Sequence, residues 1–329
     1  METRQIAVSR IREVCEAALA RHGASPDQAG PTAAALAQAE AEGNSICGLF
    51  YLPHFCAHLQ SGKLDGQAVP QVSRDGAVVR VDAAYGFVHP AFAAGLPALL
   101  AAVAATGLGA MSIANSYNSL AIGHYVRALA GQGLIGIAVS NSPATVAPPG
   151  AMRPLYGTNP LAWAVPRAGQ TPIVADQSMS AVTRTEVLRR AAAGRALEPG
   201  WAQDRAGQPT LDAQAALAGA ILPAGGQRGA NIALLIEILS AALSGGALSI
   251  GQTPLDAPQG GPPRVGQFLL ALDPARFSPD HAARIEDLAE ALAGAGVRLP
   301  GATWGLADAV PVPAALWQEA LSLAEEAGG

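Results

Sequence analysis

Between residues 110 and 180 the sequence repeatedly runs a short apolar stretch up against a polar cluster: AMSIA into NSYNS, GIAVS into NSP, GTNP into LAWAV, and PIVA into DQSMS. A chain that does this four times places four strand ends beside one another, and strand ends are where α/β proteins gather their sites. Asn, Ser and Gly also satisfy backbone groups locally, so any single cluster reads equally as an ordinary turn. Four of them so close together point to a shared polar cleft.

The flanks read as helices. Residues 5–21 carry apolar residues at helical spacing, and 27–42 form a second helix with Pro31 expected in its first turn, where a missing N–H costs nothing. LPHFCAHLQSGKL is a third helix, stopped by Gly62. VVRVD (78–82) is a strand, 91–105 a buried Ala/Leu helix, and 123–166 alternates helix, strand, loop, strand. The segment TEVLRRAAAG, residues 230–244, and the amphipathic stretches 279–296 and 313–327 complete the helices, with VGQFLLALD a late strand. Helices at both ends and strands between them predict an α/β core and a lobe built from the two termini. We divide the chain into 1–75 with 280–329, a helical and dimerising lobe, and 76–279, an α/β domain holding the cleft.

Charge and cysteine usage exclude several classes. The net charge of −5 comes with no block of like charge, which argues against a nucleic-acid surface or a polybasic membrane anchor. Apolar runs such as AAGLPALLAAVAATGLGAM are expected to break at Gly and Pro before a membrane-spanning length. Cys15, Cys47 and Cys56 form neither a disulfide framework nor a zinc set, and the charged N-terminus lacks a signal-peptide core, so a cytoplasmic protein is expected.

Individual candidates each have a plain alternative. GGQRG (225–229) opens an apolar helix, where free N–H groups and Arg228 suit a phosphate or carboxylate, but it also reads as a loop-to-helix connection. Asp176 ends a strand and Glu186 begins a helix; they can face the cleft, or merely cap and complement the helix dipole. His54 and His58 lie four apart on one helix, a metal-compatible spacing that is more often structural. No GxGxxG follows a first strand, and no metal site is expected.

The string GLIGIAVSNSPATVAPPGAMRPLYGTNPLAWAVP, with NSYN before it and GGQRGANIALLIEILSAALSGG after it, resembles the type-2 malate/L-lactate dehydrogenase family over nearly the whole chain. NSYN, GWAQDRAGQPTLD and GGPPRVGQFLLALDP are most similar to its sulfolactate dehydrogenase and Δ1-piperideine-2-carboxylate (ketimine) reductase branch. The resemblance implies a non-Rossmann α/β fold on a mainly antiparallel sheet and a homodimer with the site near its interface. It also implies NADPH or NADH as hydride donor to a C=N or C=O group beside a carboxylate.

Residue by residue, the resemblance gives Thr158 a substrate contact, with Tyr117 beside it in the pocket. It assigns the cofactor to Asn118, Ser119, Leu120, Ala121, Ile122, Asp176, Gln177, Ser178, Arg228 and Gly301. Glu186 falls where ketimine reductases carry a catalytic Asp, and Asn118 where many relatives have His. The family's SHGxxxR-like signature is replaced: Ile46, Cys47, Gly48 and Tyr51 stand in its Ser, His, Gly and Arg places. A Tyr offers one neutral donor where an Arg fork offers two charge-assisted ones. A thiol of ordinary pKa about 8.5 is a poor proton donor in place of imidazole. The PGxRR signature reads Pro300, Gly301, Ala302, Thr303, Trp304, so two cations suited to the cofactor phosphate are missing. The expected function is therefore reduction of a ketimine or 2-keto compound with altered substrate recognition, using Glu186, Cys47 and Asn118. The alternatives are a non-redox enzyme on the same scaffold, using Cys47 or Glu186, and an inactive paralogue that only binds.

Overall fold

The computed structural model describes residues 2–255, 257, 259–301 and 307–325. In chain order the first elements are β1 (Thr3–Ala7), α1 (Val8–Arg21), α2 (Pro26–Ala41), α3 (Leu52–Ser61), β2 (Gln71–Asp75), β3 (Val78–Asp82), α4 (Val88–Thr106) and β4 (Leu108–Ser116). The middle holds α5 (Gly123–Ala130), β5 (Ile135–Ser140), β6 (Leu161–Arg167), β7 (Gln170–Gln177), α6 (Arg184–Ala192), β8 (Ala202–Gln203), α7 (Ala213–Ala218) and β9 (Ala220–Ile221). Then come α8 (Gln227–Glu237), β10 (Val265–Leu272), α9 (His281–Gly294), β11 (Ala309–Pro313) and α10 (Ala314–Ala324).

The central sheet runs β2-β3-β4-β10-β5-β6-β7. Only β3 and β4 pair in parallel, so the sheet is mainly antiparallel, as the resemblance implied. The late strand β10 takes the centre, with Leu269 opposite Met111 on one side and Ala138 on the other. Alternation sorts its side chains: Leu269 and Ala271 face α4 and α5 with Val81, Ile113 and Ala164, and Phe268 faces the other way, against the cluster of Val139 and Ile236. Each such Leu or Val removed from water contributes roughly 1.5–3 kcal/mol.

Helix α4 crosses the sheet without a break. Gly95 and Pro97 were expected to interrupt this apolar run, yet both lie inside the helix. Gly95 is there because a Cβ would meet Met111 Sδ at 2.5 Å and Val81 Cγ2 at 2.7 Å, so the missing side chain lets helix and sheet touch. Among the described residues α4 is the one helix long and apolar enough to cross a membrane by composition, and its Val88, Phe92, Leu99 and Val103 are buried in the sheet core. Helix α2 also differs from expectation. Ser25 caps it through Gln28 N–H, Pro26 opens it, and Pro31 lies in its interior.

The two chain ends form one lobe. Strand β1 pairs antiparallel with β11, Thr3 opposite Pro313 and Ala7 opposite Ala309. Ile11, Leu19, Leu36, Leu52 and Phe55 pack there with Val310, Val312 and Trp317. Two segments assigned by sequence to this lobe lie on the sheet instead. β2 is its edge strand, because Gln71–Asp75 completes a hairpin with β3. Helix α9 is held beside β6 by Arg167, whose Nε and Nη2 donate to Glu286 at 2.9 and 2.6 Å.

Candidate functional site

The end of β7 is a junction. Val174 N–H donates to Pro300 O at 3.2 Å, and Gly301 sits against Val174 with φ +76°, where a Cβ would meet the Val174 carbonyl oxygen at 2.9 Å. Two residues on, Asp176 Oδ2 accepts Gly123 N–H at 2.7 Å and the carboxylate also accepts Ile122 N–H, holding the 117–122 loop at the start of α5. Past the strand, Ser178 Oγ donates to Thr158 O at 3.1 Å, and Ser180 bridges to Pro223 while Ala224 N–H donates to Met179 O at 2.9 Å. The GTNP turn, the DQSMS run, the GGQRG helix start and Gly301 are thus brought together. Ala302, Thr303 and Trp304 lie outside the described residues.

The helix start fits a phosphate-bearing cofactor. Gly225 and Gly226 have φ of +69° and +61°, and a Cβ at either would point into open space. Behind them Gly229 presses on the Ala224 carbonyl, which a Cβ would strike. The first-turn N–H groups of α8 have no acceptor in the helix, and Arg228 is exposed beside them. Gln177, the last residue of β7, is exposed.

The GTNP turn is fixed from below. Thr158 N–H donates to Ser142 Oγ at 3.1 Å, and Asn159, at φ +39°, donates through Nδ2 to Glu237 Oε2 at 3.0 Å. Glu237 is 6% exposed and also accepts Ser249 N–H and Ser249 Oγ–H, both at 2.6 Å. It closes α8 just before a π-helical turn, Ile238–Leu243, where residues 230–244 were expected to form one regular helix.

The 117–122 loop is held by the central strand. Gln267 Nε2 donates to Ser116 Oγ at 2.9 Å and to Asn118 O at 3.1 Å. Asn118 is buried, its Oδ1 accepting Val88 N–H at 3.3 Å while its Nδ2 has no partner among the described residues. Ser119 O accepts the Tyr125 hydroxyl, Leu120 has φ +53°, and Ile122 is buried.

Cys47 reaches this junction from the lobe. It ends a short 3-10 turn, Ser45–Cys47, and a second, Leu49–Tyr51, follows across Gly48, where a Cβ would run into the Glu40 carboxylate. Cys47 lines a small concavity with Glu42, His89, Leu120, Ala121 and His124. Burial, and then the nearby Asp176 charge, push its thiol up to about 12. A thiol so disposed stays protonated at neutral pH. Burial raises Asp176 to about 6, against its two N–H bonds and Arg127. Glu42 pairs with Arg127 at the rim.

The Asp176 carboxyl has a stability consequence. Its folded pKa lies above the unfolded value of about 3.9, so its contribution favours folding below pH 4 and is lost as pH rises through 6, about 2–3 kcal/mol in all. Asp176→Asn is expected to flatten the fall in unfolding free energy between pH 4 and 7, read by urea denaturation at several pH values. An unaltered slope would contradict the burial of this charge.

Two expected site residues are bonded to other side chains. Glu186, in the first turn of α6, is gripped by Arg189 at 2.7 and 2.8 Å and by Arg190 at 2.9 Å. Those hydrogen bonds hold its carboxyl down at about 2, so it is an ionised partner of its own helix and carries no proton to donate. Tyr117 is 1% exposed, its hydroxyl bonded to His58 Nδ1 and its ring edge-on to Phe55 and Phe87. Because His58 also bonds the Ala257 carbonyl, its Nδ1 accepts from Tyr117; burial lowers that imidazole to about 4. Tyr117 therefore belongs to the core. Ile46 is exposed at 39%, and Tyr51 stacks on Phe55 at 5.8 Å against the core of the lobe. Sequence reading did not single out His89 or His124 as a pair; the signal available was a His opening the helix directly after the NSYNSLAI loop.

A model of the malate/L-lactate dehydrogenase family matches residues 6–304. The chain is 41% identical over 300 residues to the (2R)-3-sulfolactate dehydrogenase (NADP(+)) of Chromohalobacter salexigens, covering 91% of this chain and 90% of that one. It is 40% identical over 284 residues to a Δ1-pyrroline-2-carboxylate/Δ1-piperideine-2-carboxylate reductase of Pseudomonas syringae pv. tomato, covering 85% and 83%. The crystal structure of a Δ1-piperideine-2-carboxylate reductase from Pseudomonas syringae superposes with a TM-score of 0.93 at 35% identity, over 98% of this chain and 100% of that one.

Proposed function

The chain belongs to the malate/L-lactate dehydrogenase family, and from that premise we propose that it is an NADPH- or NADH-dependent reductase of a C=N or C=O group in a small carboxylate. The observation that carries this reading is the junction at the end of β7, where Asp176, Ser178, the GGQRG helix start and Gly301 converge. When bound, the cofactor supplies a hydride. Arg228 and the open N–H groups of α8 would hold its phosphates, with Gln177 and Ser178 beside it, and Asn118, Ser119, Leu120, Ala121 and Ile122 would wall it from water. Thr158 is offered to the substrate from a turn fixed by Ser142 and Glu237. With Tyr51 in place of a guanidinium, the carboxylate loses a bidentate anchor, which is why altered substrate recognition is part of the proposal. Oxidation of NADPH and of NADH is to be followed with Δ1-pyrroline-2-carboxylate, Δ1-piperideine-2-carboxylate and a panel of 2-keto acids. No turnover of any of them with either nucleotide would sink the reading.

The proposal includes a homodimer. Helix α8 turns Ala233, Ile236 and Glu237 inward and leaves Ile232 and Leu235 at 43 and 54% exposure, with Ile238, Leu243 and Ile250 also exposed on the segment that follows. Such a run of large apolar side chains suits a self-complementary contact. Leu235→Glu with Ile238→Glu is expected to halve the mass seen by light scattering, and an unchanged dimer would exclude this face. A cytoplasmic location agrees with Cys15, Cys47 and Cys56 all being free thiols.

A further inference from the structure

Reduction of a C=N or C=O bond needs a proton as well as a hydride, and the groups first expected to give it do not qualify. Burial raises the Cys47 thiol, Glu186 is engaged by Arg189 and Arg190, and the Asp176 carboxylate already accepts the N–H groups of Gly123 and Ile122. The concavity that Cys47 shares with Leu120 and Ala121 contains two imidazoles from different elements. His89, in the first turn of α4, is 2% exposed and lies behind; His124, the second residue of α5, is half-buried and opens on the concavity. Their rings meet edge to face at 5.8 Å, and Tyr125 packs on both. His124 makes no side-chain hydrogen bond among the described residues, so its ring nitrogens are uncommitted next to the loop that walls the cofactor.

We propose that His124 is the proton donor of this site, replacing the imidazole that Cys47 displaced. The inference rests on the reductase reading above. In the step, the imine or carbonyl carbon would receive a hydride, one hydrogen nucleus with its electron pair, which the bound reduced nicotinamide would supply. The π pair of that bond moves to nitrogen or oxygen, which takes the proton of the His124 imidazolium, and His124 is re-protonated from water. The charged and titratable groups around it are Glu42, Cys47, His89, Tyr125, Arg127 and Asp176. Burial keeps His124 below the ordinary imidazole range, so activity rises as pH falls below about 6.5.

The test uses the full chain with NADPH and the cyclic imine and 2-keto substrates named above. His124→Gln and His124→Asn are expected to lower kcat by about 100-fold or more, with NADPH affinity by fluorescence titration changed less than about threefold. The acid-side rise in rate disappears in both variants. Independently of turnover, modification of His124 by diethyl pyrocarbonate, mapped by mass spectrometry, is slowed by NADPH with pyrrole-2-carboxylate, a planar analogue of the imine. Undiminished kcat in either variant, or labelling unaffected by the two ligands, overturns the assignment while the reductase reading stands. A wild-type chain that oxidises neither nucleotide overturns that reading, and this inference falls with it.

Discussion

A Glu237→Leu variant is expected to lose about 3–5 kcal/mol of unfolding free energy, because three buried donors each lose an acceptor at about 1–3 kcal/mol apiece before relaxation. Those donors are the Ser249 N–H, the Ser249 hydroxyl and Asn159 Nδ2, gathered on one carboxylate from two loops distant in sequence. Leucine fills the volume and offers nothing to any of them. Glu237→Gln keeps one acceptor oxygen and is expected to cost about half as much. Urea unfolding followed by circular dichroism reads both, and a leucine variant within about 1 kcal/mol of wild type would show that the cluster is not what holds these loops. Since Asn159 adjoins Thr158, the glutamine variant is also expected to raise KM more than it lowers kcat.

Gly229→Ala should be the most damaging small change near the cofactor. The added methyl group would run into the Ala224 carbonyl, and neither partner is a flexible side-chain tip. The first turn of α8 must lift, loosening the Ala224 N–H bond to Met179 O that ties the GGQRG segment to β7. We expect NADPH affinity to fall by about tenfold or more, with about 1–3 kcal/mol lost from stability as in other overpacked sites. Gly225→Ala is the control: its φ of +69° makes it mildly strained, at about 1–2 kcal/mol, but its Cβ points into open space. Fluorescence titration separates the two, and equal affinities in both variants would contradict the close approach at Gly229.

The order of most helices and central strands was legible because apolar periodicity and turn residues are local, whereas β1, β2 and β11 were not read as strands. The polar strand ends were legible too, and NSYNS, GTNP and DQSMS do meet around β7. Roles were harder to read. Glu186 looked available because nothing in TEVLRR says whether Arg189 and Arg190 turn back onto it, and in the helix they sit three and four residues on, within reach. Tyr117 looked like a pocket residue until the fold brought His58 against its hydroxyl. His124 and Cys47 belong to different elements, and their meeting depends on how the lobe docks on the sheet. The position of β10 between β4 and β5 was likewise invisible, since a strand that inserts late in the chain leaves no local sign of its neighbours.

The β1–β11 ribbon ties the first strand of the lobe to one of the last, with α10 packed on α1. On the ribosome, α1, α2 and α3 emerge long before Val310, Val312 and Trp317, so Ile11, Leu19 and Leu36 must wait for the partners that cover them. Sheet and lobe thus mature at different times. The Cys47 side of the concavity is then the last to be set, and the nascent chain stays open to chaperones and proteases until Val310, Val312 and Trp317 arrive.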